Sequence, residues 1–447
     1  MDNPEKTDAV GAGRDPRVPA IEALMRKTLW LSNWMIHHAN HIRPNDSGVK
    51  VGGHQASSAS MTAIMSALYF AVLKPEDRVA VKPHAAPVFH AIQYLFGRQS
   101  LDKLKAFRAH GGAQSYPSRT KDTDDVDIST GSVGLGVAFT AFASIIQDYI
   151  RAKPWAKPGR EGRMVALVGD AELDEGNVYE CLLEGWKQGL RNTWWIIDYN
   201  RQSLDGVVRE GLYDRIEAIF KAFDWNVVTL KYGALQRRAF AEPGGDKLKA
   251  WIDACPNALY SALMFRGGGA WRERLDDEIG DQSAVSALIA RRNDAELAQL
   301  MGNLGGHCIE TLLEQFEAVG NDRPTAFIAY TVKGWGTPLA GHKDNHAGQM
   351  TGAQIDSLRE TMNVREGYEW EPFEGLGKEP DTVRHFLRDV PFNQSADRRK
   401  SSPRLPGLGP QFVTEKVTST QTAFGKILDA IAKTDSPLAQ RIVTTSP

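Results

Sequence analysis

Apolar positions in this chain follow two patterns: short continuous runs of strand length, and longer stretches spaced for one face of a helix. The runs Arg78–Lys82, Arg163–Val168, Thr193–Tyr199, Asn226–Leu230 and Thr325–Thr331 read as strands. Helical patterns at 85–96, 133–150, 177–189, 210–223 and 307–319 lie between or after them. Upstream, helical spacing runs from Ala20 to about His41, and again from behind GGH at 52–54 through Phe70. Strands alternating with helices predict an α/β fold, a parallel sheet with helices on both faces. Ligands gather at the carboxyl ends of the strands in such sheets. That singles out His84, Gly169-Asp170, Asn200 and Lys333.

The ends of the chain read differently. Residues 1–18 are rich in Gly, Pro and charge, which predicts a flexible tail, and 19–365 read as the main domain. Six prolines between Pro372 and Pro410 predict an extended connector over 366–417. From 418 to 447 a second unit begins, with a helix over Ser419–Ala432 and a strand start at Arg441–Thr444. That is too little chain for a core of its own.

Composition narrows the class of function. In 447 residues, 53 Lys and Arg face 55 Asp and Glu, so no basic excess points to nucleic acid or an anionic membrane. Cys181, Cys255 and Cys308 lie far apart, which excludes a disulfide framework and a paired-Cys zinc site. The first residues lack an apolar segment behind a basic flank, and the longest apolar stretches are too short for a bilayer. A cytoplasmic enzyme with a small-molecule substrate is the expectation.

The strongest local signal is RMVALVGDAELDEGNVYE followed by NTWWIIDYNRQSLDG. Asp170 ends one strand, and Asn200 with Gln202 ends the next. A carboxylate, an amide oxygen and a backbone carbonyl there suit Mg²⁺. The turn Gly169-Asp170-Ala171-Glu172 opens a helix, whose free N–H groups favour a diphosphate. Taken alone, an ordinary strand-to-helix turn with an Asp cap fits equally. His37 and His41, at i and i+4, have neither a third ligand nor a catalytic Glu after them and read as a solvated helix face.

These segments resemble the thiamine diphosphate motif of the transketolase superfamily, which starts Gly-Asp-Gly and closes with Asn. GGHQAS at 52–57, VKPHAAPVFHAIQYLFGR at 81–98, FRAHGGAQSYP at 107–117, STGSVGLG at 129–136 and YTVKGWG at 330–336 follow in family order. The spacing from Asp170 to Asn200, the run Arg201–Gly206 and the stretch Tyr260–Arg272 are most similar to the homodimeric first, decarboxylating component of pyruvate dehydrogenase. The resemblance implies that Asp170, Asn200 and the Gln202 carbonyl hold Mg²⁺. It also implies that the Ala171 and Glu172 amides, Ser57 and Lys333 meet the diphosphate. Ala171 replaces a family Gly, which requires a negative φ there. Lys82 stands where pyruvate dehydrogenase has an amide, and its cation can aid the phosphates. Val133-Gly134 matches the backbone that meets the aminopyrimidine. His54, His84 and His346 match the active-site histidines, His346 being preferred to His342 on the lid-like segment GWGTPLAGHKDNHAGQM.

The implied activity is thiamine diphosphate- and Mg²⁺-dependent, acting on a 2-keto acid, pyruvate first; transketolase-type ketol transfer is the alternative. In the family a Glu on a second, pyrimidine-binding domain activates the cofactor. The chain ends as that domain would begin, so the resemblance implies a homo-oligomer or a partner chain and no turnover by this chain alone. A non-catalytic remnant or binding module is the other reading.

Overall fold

The computed structural model describes residues 15–46, 48–155, 159, 161–204, 206–281, 283–377, 379–394, 398, 404–405 and 417–444. Most of the expected tail, residues 1–14, lies outside this set. The strands are β1 (Arg78–Ala80), β2 (Met164–Gly169), β3 (Thr193–Tyr199), β4 (Gln202–Ser203), β5 (Gly206–Val207), β6 (Asn226–Leu230) and β7 (Thr325–Tyr330). The five apolar runs form one sheet in the order β1-β2-β3-β7-β6, with every pair parallel. The sheet opposes Val165 to Trp194 and Trp194 to Thr325. β4 and β5 make a small antiparallel hairpin beyond β3.

Helices α1 (Val18–His37), α2 (Gln55–Ala67), α3 (Ala86–Leu95), α4 (Leu101–Lys105) and α5 (Leu135–Arg151) precede β2. α6 (Gly176–Lys187) joins β2 to β3, and α7 (Leu212–Ala222) leads into β6. Short helices α8 to α13 fill 234–301 and include α10 (Asn257–Arg266); α14 (Ile309–Glu317) leads into β7. α15 (Gly352–Thr361), α16 (Pro380–Asp389) and α17 (Thr420–Ala432) follow.

Alternation along each strand sorts the core into two layers. Val165, Leu167, Trp194, Ile196 and Phe327 pack with residues of α1, α2, α3 and α14. Ala166, Val168, Trp195, Ile197 and Ile328 turn the other way, onto α5, α6 and α7 through Val137, Val178 and Phe220. Continuous apolar strands are what a sheet covered on both faces requires. The expected fold class is therefore the observed one. All the carboxyl ends point to one edge, carrying Lys82, Asp170, Asn200 and Lys333 with them.

Three features depart from the sequence expectations. Helices α8 to α13 have their own apolar core around Trp251, Tyr260, Trp271, Leu275, Leu288 and Met301. The chain divides into compact units at Met1–Ala396 and Asp397–Pro447, so the first unit runs past 365. Part of the expected connector belongs to its core: Leu376, Val383, Leu387, Val390 and Phe392 are buried there, and the Trp30 indole donates to Glu369 O at 2.8 Å. The apolar spacing of α16 outweighs the prolines, the first of which sits harmlessly at its N-terminus. In the second unit α17 is capped by Ser419, whose hydroxyl accepts from Thr422 N at 3.1 Å. The expected strand at Arg441–Thr444 is absent: Arg441 ends a 3-10 turn, and 442–444 have no ladder partner among the described residues. Among the described residues, no helix is long and apolar enough to cross a membrane.

One buried ion pair ties the loop before α5 to α3. His90 Nδ1 lies 2.6 Å from Asp124 Oδ2, and its Nε2 lies 2.8 Å from Gln114 O. A carbonyl only accepts, so Nε2 carries a proton, and the Asp124 carboxylate holds the second one. Asp122 joins this cluster and accepts from the amides of Gln114 and Ser118, at 3.0 and 2.7 Å. Protonated His90 accounts for the arrangement without a metal. Burial alone would lower the His90 pKa, but the Asp124 charge overrides it and raises the value. Its stabilisation is thus full below the unfolded value of about 6.5 and fades as pH rises through the raised folded value. Urea unfolding across pH, compared with His90→Gln, is expected to show the difference between the two proteins shrink on the alkaline side.

Candidate functional site

A cavity of about 270 Å³ opens at the carboxyl edge of the sheet. Ser57, Lys82, His84, Val133, Gly169, Asp170, Ala171, Glu172, Asn200, Gln202, Lys333 and His346 all line it, together with Pro83, Tyr116, Gly131 and Leu204. His54 adds its ring from α2's N-terminus. It stacks on His84 with centroids 3.9 Å apart and stands 5.2 Å from His346. Every residue that the resemblance assigns to the site is at this pocket except Gly134, which sits one residue behind its wall. His342 is not in it; its ring meets Phe265 at 4.6 Å.

The floor is a buried polar network. Lys82 Nζ is 2.8 Å from Asp198 Oδ2, and the same carboxylate accepts from Ser60 at 2.7 Å, from Asn200 at 3.3 Å and from the Thr331 hydroxyl. Burial alone would neutralise this pair. The opposite charges prevail, holding Lys82 above the ordinary lysine value and Asp198 below the ordinary carboxylate value. Sequence reasoning missed Asp198. Its signal was a lone acid inside the apolar run TWWIIDY, which a buried strand accepts only with a partner.

Asp170 accepts from Arg201 N at 2.7 Å and from Ala171 N at 3.0 Å, which leaves lone pairs on both oxygens for a cation. Burial, then the nearby Asp198 charge, pushes its pKa up to about 7 against the pull of Lys82. A metal ion there would remove that penalty. Asn200 Oδ1 accepts from Gln202 N at 3.0 Å, so the two residues form one turn on the same wall. Arg201 between them has φ 64, donates to Thr331 O at 2.9 Å and lies over the Tyr260 ring. This strained residue was also missed, and it sets the backbone that grips Asp170.

The phosphate side differs in detail from the expectation. Ala171 lies in a 3-10 turn and is not among the residues with positive φ, so the replaced glycine costs nothing in backbone strain. Its N–H, however, is taken by Asp170. Glu172 contributes its side chain: the carboxylate accepts from Gly169 N at 3.0 Å and from Gly134 N at 3.2 Å, stapling β2's end to the start of α5. Burial raises its pKa. With these amides engaged, positive charge for an anion comes from Lys82 and Lys333. Lys333 Nζ contacts Leu204 O and lies 3.2 Å from His346 Nδ1. Burial, then neighbouring cations, drives His54 to about 4 and His84 to about 2, so both are neutral at physiological pH.

The pocket fits a metal–diphosphate group. The Gln202 side-chain nitrogen is buried in its wall without a hydrogen-bond partner. A Cβ on Gly169 would come within 3.1 Å of Lys82 Cε, so a side chain there would fill the cradle. His37 and His41, by contrast, stay outside it. Their rings lie 4.8 Å apart in a stack with Trp34, and they belong to no cluster of potential ligands among the described residues.

Residues 50–238 match the family model for the transketolase thiamine diphosphate-binding domain. The pyruvate dehydrogenase E1 component of Cupriavidus necator is 26% identical over 464 residues, covering 96% of this chain and 50% of that protein. The E1 component of Mycobacterium tuberculosis is also 26% identical, over 78% of this chain and 39% of its own length. The chain thus spans about half the length, or less, of these curated relatives. Transketolase from Leishmania mexicana superposes on 85% of the chain with a TM-score of 0.54 and 18% identity, using 45% of its own length. Transketolase from Campylobacter jejuni covers 84% of this chain and 46% of its own, with a TM-score of 0.55 and 19% identity. At these identities the likeness is one of fold. Residues 50–238 thus match the transketolase thiamine diphosphate-binding domain, in a chain similar through most of its length to pyruvate dehydrogenase E1 components.

Proposed function

We propose that the chain is the diphosphate-binding part of a thiamine diphosphate- and Mg²⁺-dependent enzyme that acts on a 2-keto acid, pyruvate first. The observation carrying this reading is one pocket that joins an oxygen-rich wall (Asp170, Asn200, Gln202), two lysines and neutral histidines. Thiamine diphosphate, when bound, supplies an electron sink for cleaving the bond beside a carbonyl. Asp170, Asn200 and the Gln202 carbonyl would hold Mg²⁺, while Lys82, Lys333 and Ser57 offset and orient the diphosphate. Neutral His54 and His84 donate to or accept from a substrate oxygen without adding charge. His346 comes from the segment behind β7, which excludes water from the reacting centre.

A ketose substrate is favoured by one observation only, that the superposed structures are transketolases. Its phosphate needs cations beyond Lys82 and Lys333, which already face the cofactor's phosphates.

The reading includes a partner, a second copy of this chain or a chain bearing a pyrimidine-binding domain. Support comes from an apolar stripe of Leu135, Phe139, Phe142 and Ile146 along α5 beside Tyr179, Leu183 and Trp186 on α6. All are more than a third exposed, and the α5 set follows helical spacing on one face. The stripe starts two residues past Val133, itself 44% exposed at the cavity wall, so a covering protein would also close the pocket. An apolar surface of this extent marks an interaction site.

Three measurements test the proposal. In calorimetry, thiamine diphosphate affinity is expected to fall more than about tenfold when Mg²⁺ is removed or Asp170 becomes Ala; equal affinities would end the metal assignment. Offered pyruvate with an artificial electron acceptor, beside a ketose–aldose pair, the chain alone is expected to turn over neither. With a chain supplying the pyrimidine-binding domain, it is expected to use pyruvate; turnover of sugars alone would reverse the substrate order. Sedimentation is expected to find self-association or capture of that partner chain, either lost in Phe139→Glu/Phe142→Glu; a wild-type chain that stays monomeric and partnerless refutes the interface.

A further inference from the structure

The segment Val51–His54 brings His54 to the pocket in a conformation that ordinary residues avoid. Gly52 has φ 83 and Gly53 has φ 133, and a Cβ on Gly53 would meet Ile36 at 2.8 Å. His54 is the N-cap of α2, and its side chain makes no capping hydrogen bond. Something outside the segment must hold it.

Two side chains do. After α1 the chain makes a π-helical turn, His38–Ile42, and the extra residue turns Asn40 towards the glycines. Asn40 grips Gly52 by both of its backbone groups: its Oδ1 accepts from Gly52 N at 2.8 Å and its Nδ2 donates to Gly52 O at 3.0 Å. The same Nδ2 donates to Ile36 O at 2.8 Å, which locks the amide to the helix. From the other side Arg108, itself at φ 61, donates from Nη1 to Val51 O at 2.8 Å. A Cβ on Gly52 would come within 2.6 Å of that Nη1. Arg43, just past the π turn, donates to Phe107 O at 2.8 Å and so joins the two halves. Met35, Ile36, Ala39, Leu104, Phe107 and Ala113 form a separate apolar cluster beneath them.

We propose that Asn40, with Arg108 opposite it, is a positioning residue for His54, fixing through the Gly52 peptide the stack of His54 on His84. The inference rests on the reading of this pocket as the reacting site, because only there does the pose of His54 matter. His84 is held apart from that bracket: its carbonyl accepts from Ser58 Oγ of α2 at 2.8 Å, and it follows Pro83 in a 3-10 turn. The stack therefore has one fixed partner and one held by the bracket. Three hydrogen bonds on one half-buried amide exceed what a surface turn needs. Loosening them frees two glycines whose preferred conformations are broad.

The test uses the full chain without cofactor, so its result is independent of whether thiamine diphosphate binds. Histidine-labelled protein, with His54 assigned by its loss in His54→Gln, reports the ring current of His84 on the His54 Hε1 resonance. Asn40→Ala is expected to move that resonance towards the free-imidazole position and to speed Gly52 amide exchange by about tenfold. Asn40→Asp keeps the acceptor for Gly52 N–H and is expected to retain most of that protection. Arg108→Met acts from another element, is expected to shift the same resonance and decides the matter if Asn40→Ala does not fold. Leu288→Ala, a core truncation in the α8–α13 region, is expected to lower the melting temperature and leave His54 unmoved. A His54 resonance unchanged in Asn40→Ala and Arg108→Met would reduce the bracket to a stabilised turn. So would an equal shift in Leu288→Ala.

Discussion

An ionised carboxylate without water around it is costly unless paired charge and hydrogen bonds replace the lost hydration. Asp198 meets that demand at the midpoint of the sheet, and in doing so connects elements far apart in sequence. Lys82 follows β1, Ser60 belongs to α2, Thr331 follows β7, and all three converge on this one side chain of β3. Removing either charge of such a pair costs about 3–5 kcal/mol, because the other is left unpaired. The same pair places an ammonium group on the pocket floor beside Gly169. The strand ends and the local charge are therefore set by a single arrangement.

The pocket is walled unevenly. Its floor is rigid sheet and turn, strained at Arg201 and held by the Asp170 carboxylate. Its far side faces the α8–α13 region: Arg201 lies over Tyr260, Trp335 packs against that region's core, and His342 meets Phe265. The segment bearing His346 is thus held from two sides, by α10 through His342 and by the main core through Leu339 and Met350, whose N–H donates to Gln55.

Much of this was legible in the sequence. The five apolar runs were strands because a sheet buried on both faces leaves no polar alternation to mislead, and Asp170, Asn200, Lys333 and the three histidines sat inside long motifs. What escaped was relational. Asp198 could be flagged as odd, but Lys82 as its partner needs β1 beside β2 and β2 beside β3. The Ala171 amide, expected at the diphosphate, looked free because sequence does not reveal that the Asp170 carboxylate turns back onto it. Prolines from Pro372 onward suggested a connector, whereas Phe392 packs against Tyr69 and Phe96, distant in sequence but adjacent in space.

Strand order has a consequence for how the chain is made. β3 lies beside β7, so Trp194 waits for Thr325 to leave the ribosome before its second edge is covered. Until then a half-sheet of β1, β2 and β3 presents an open, apolar edge, the kind of surface that invites misassembly. β6 emerges earlier than β7 but pairs only with it, so it cannot close the gap. The helices between them collapse on their own core around Trp271, shortening the effective loop and lowering the entropy of closing it. In a vectorial synthesis the region that later supports the lid thus first serves as an internal brace, delivering β7 to the slot between β3 and β6.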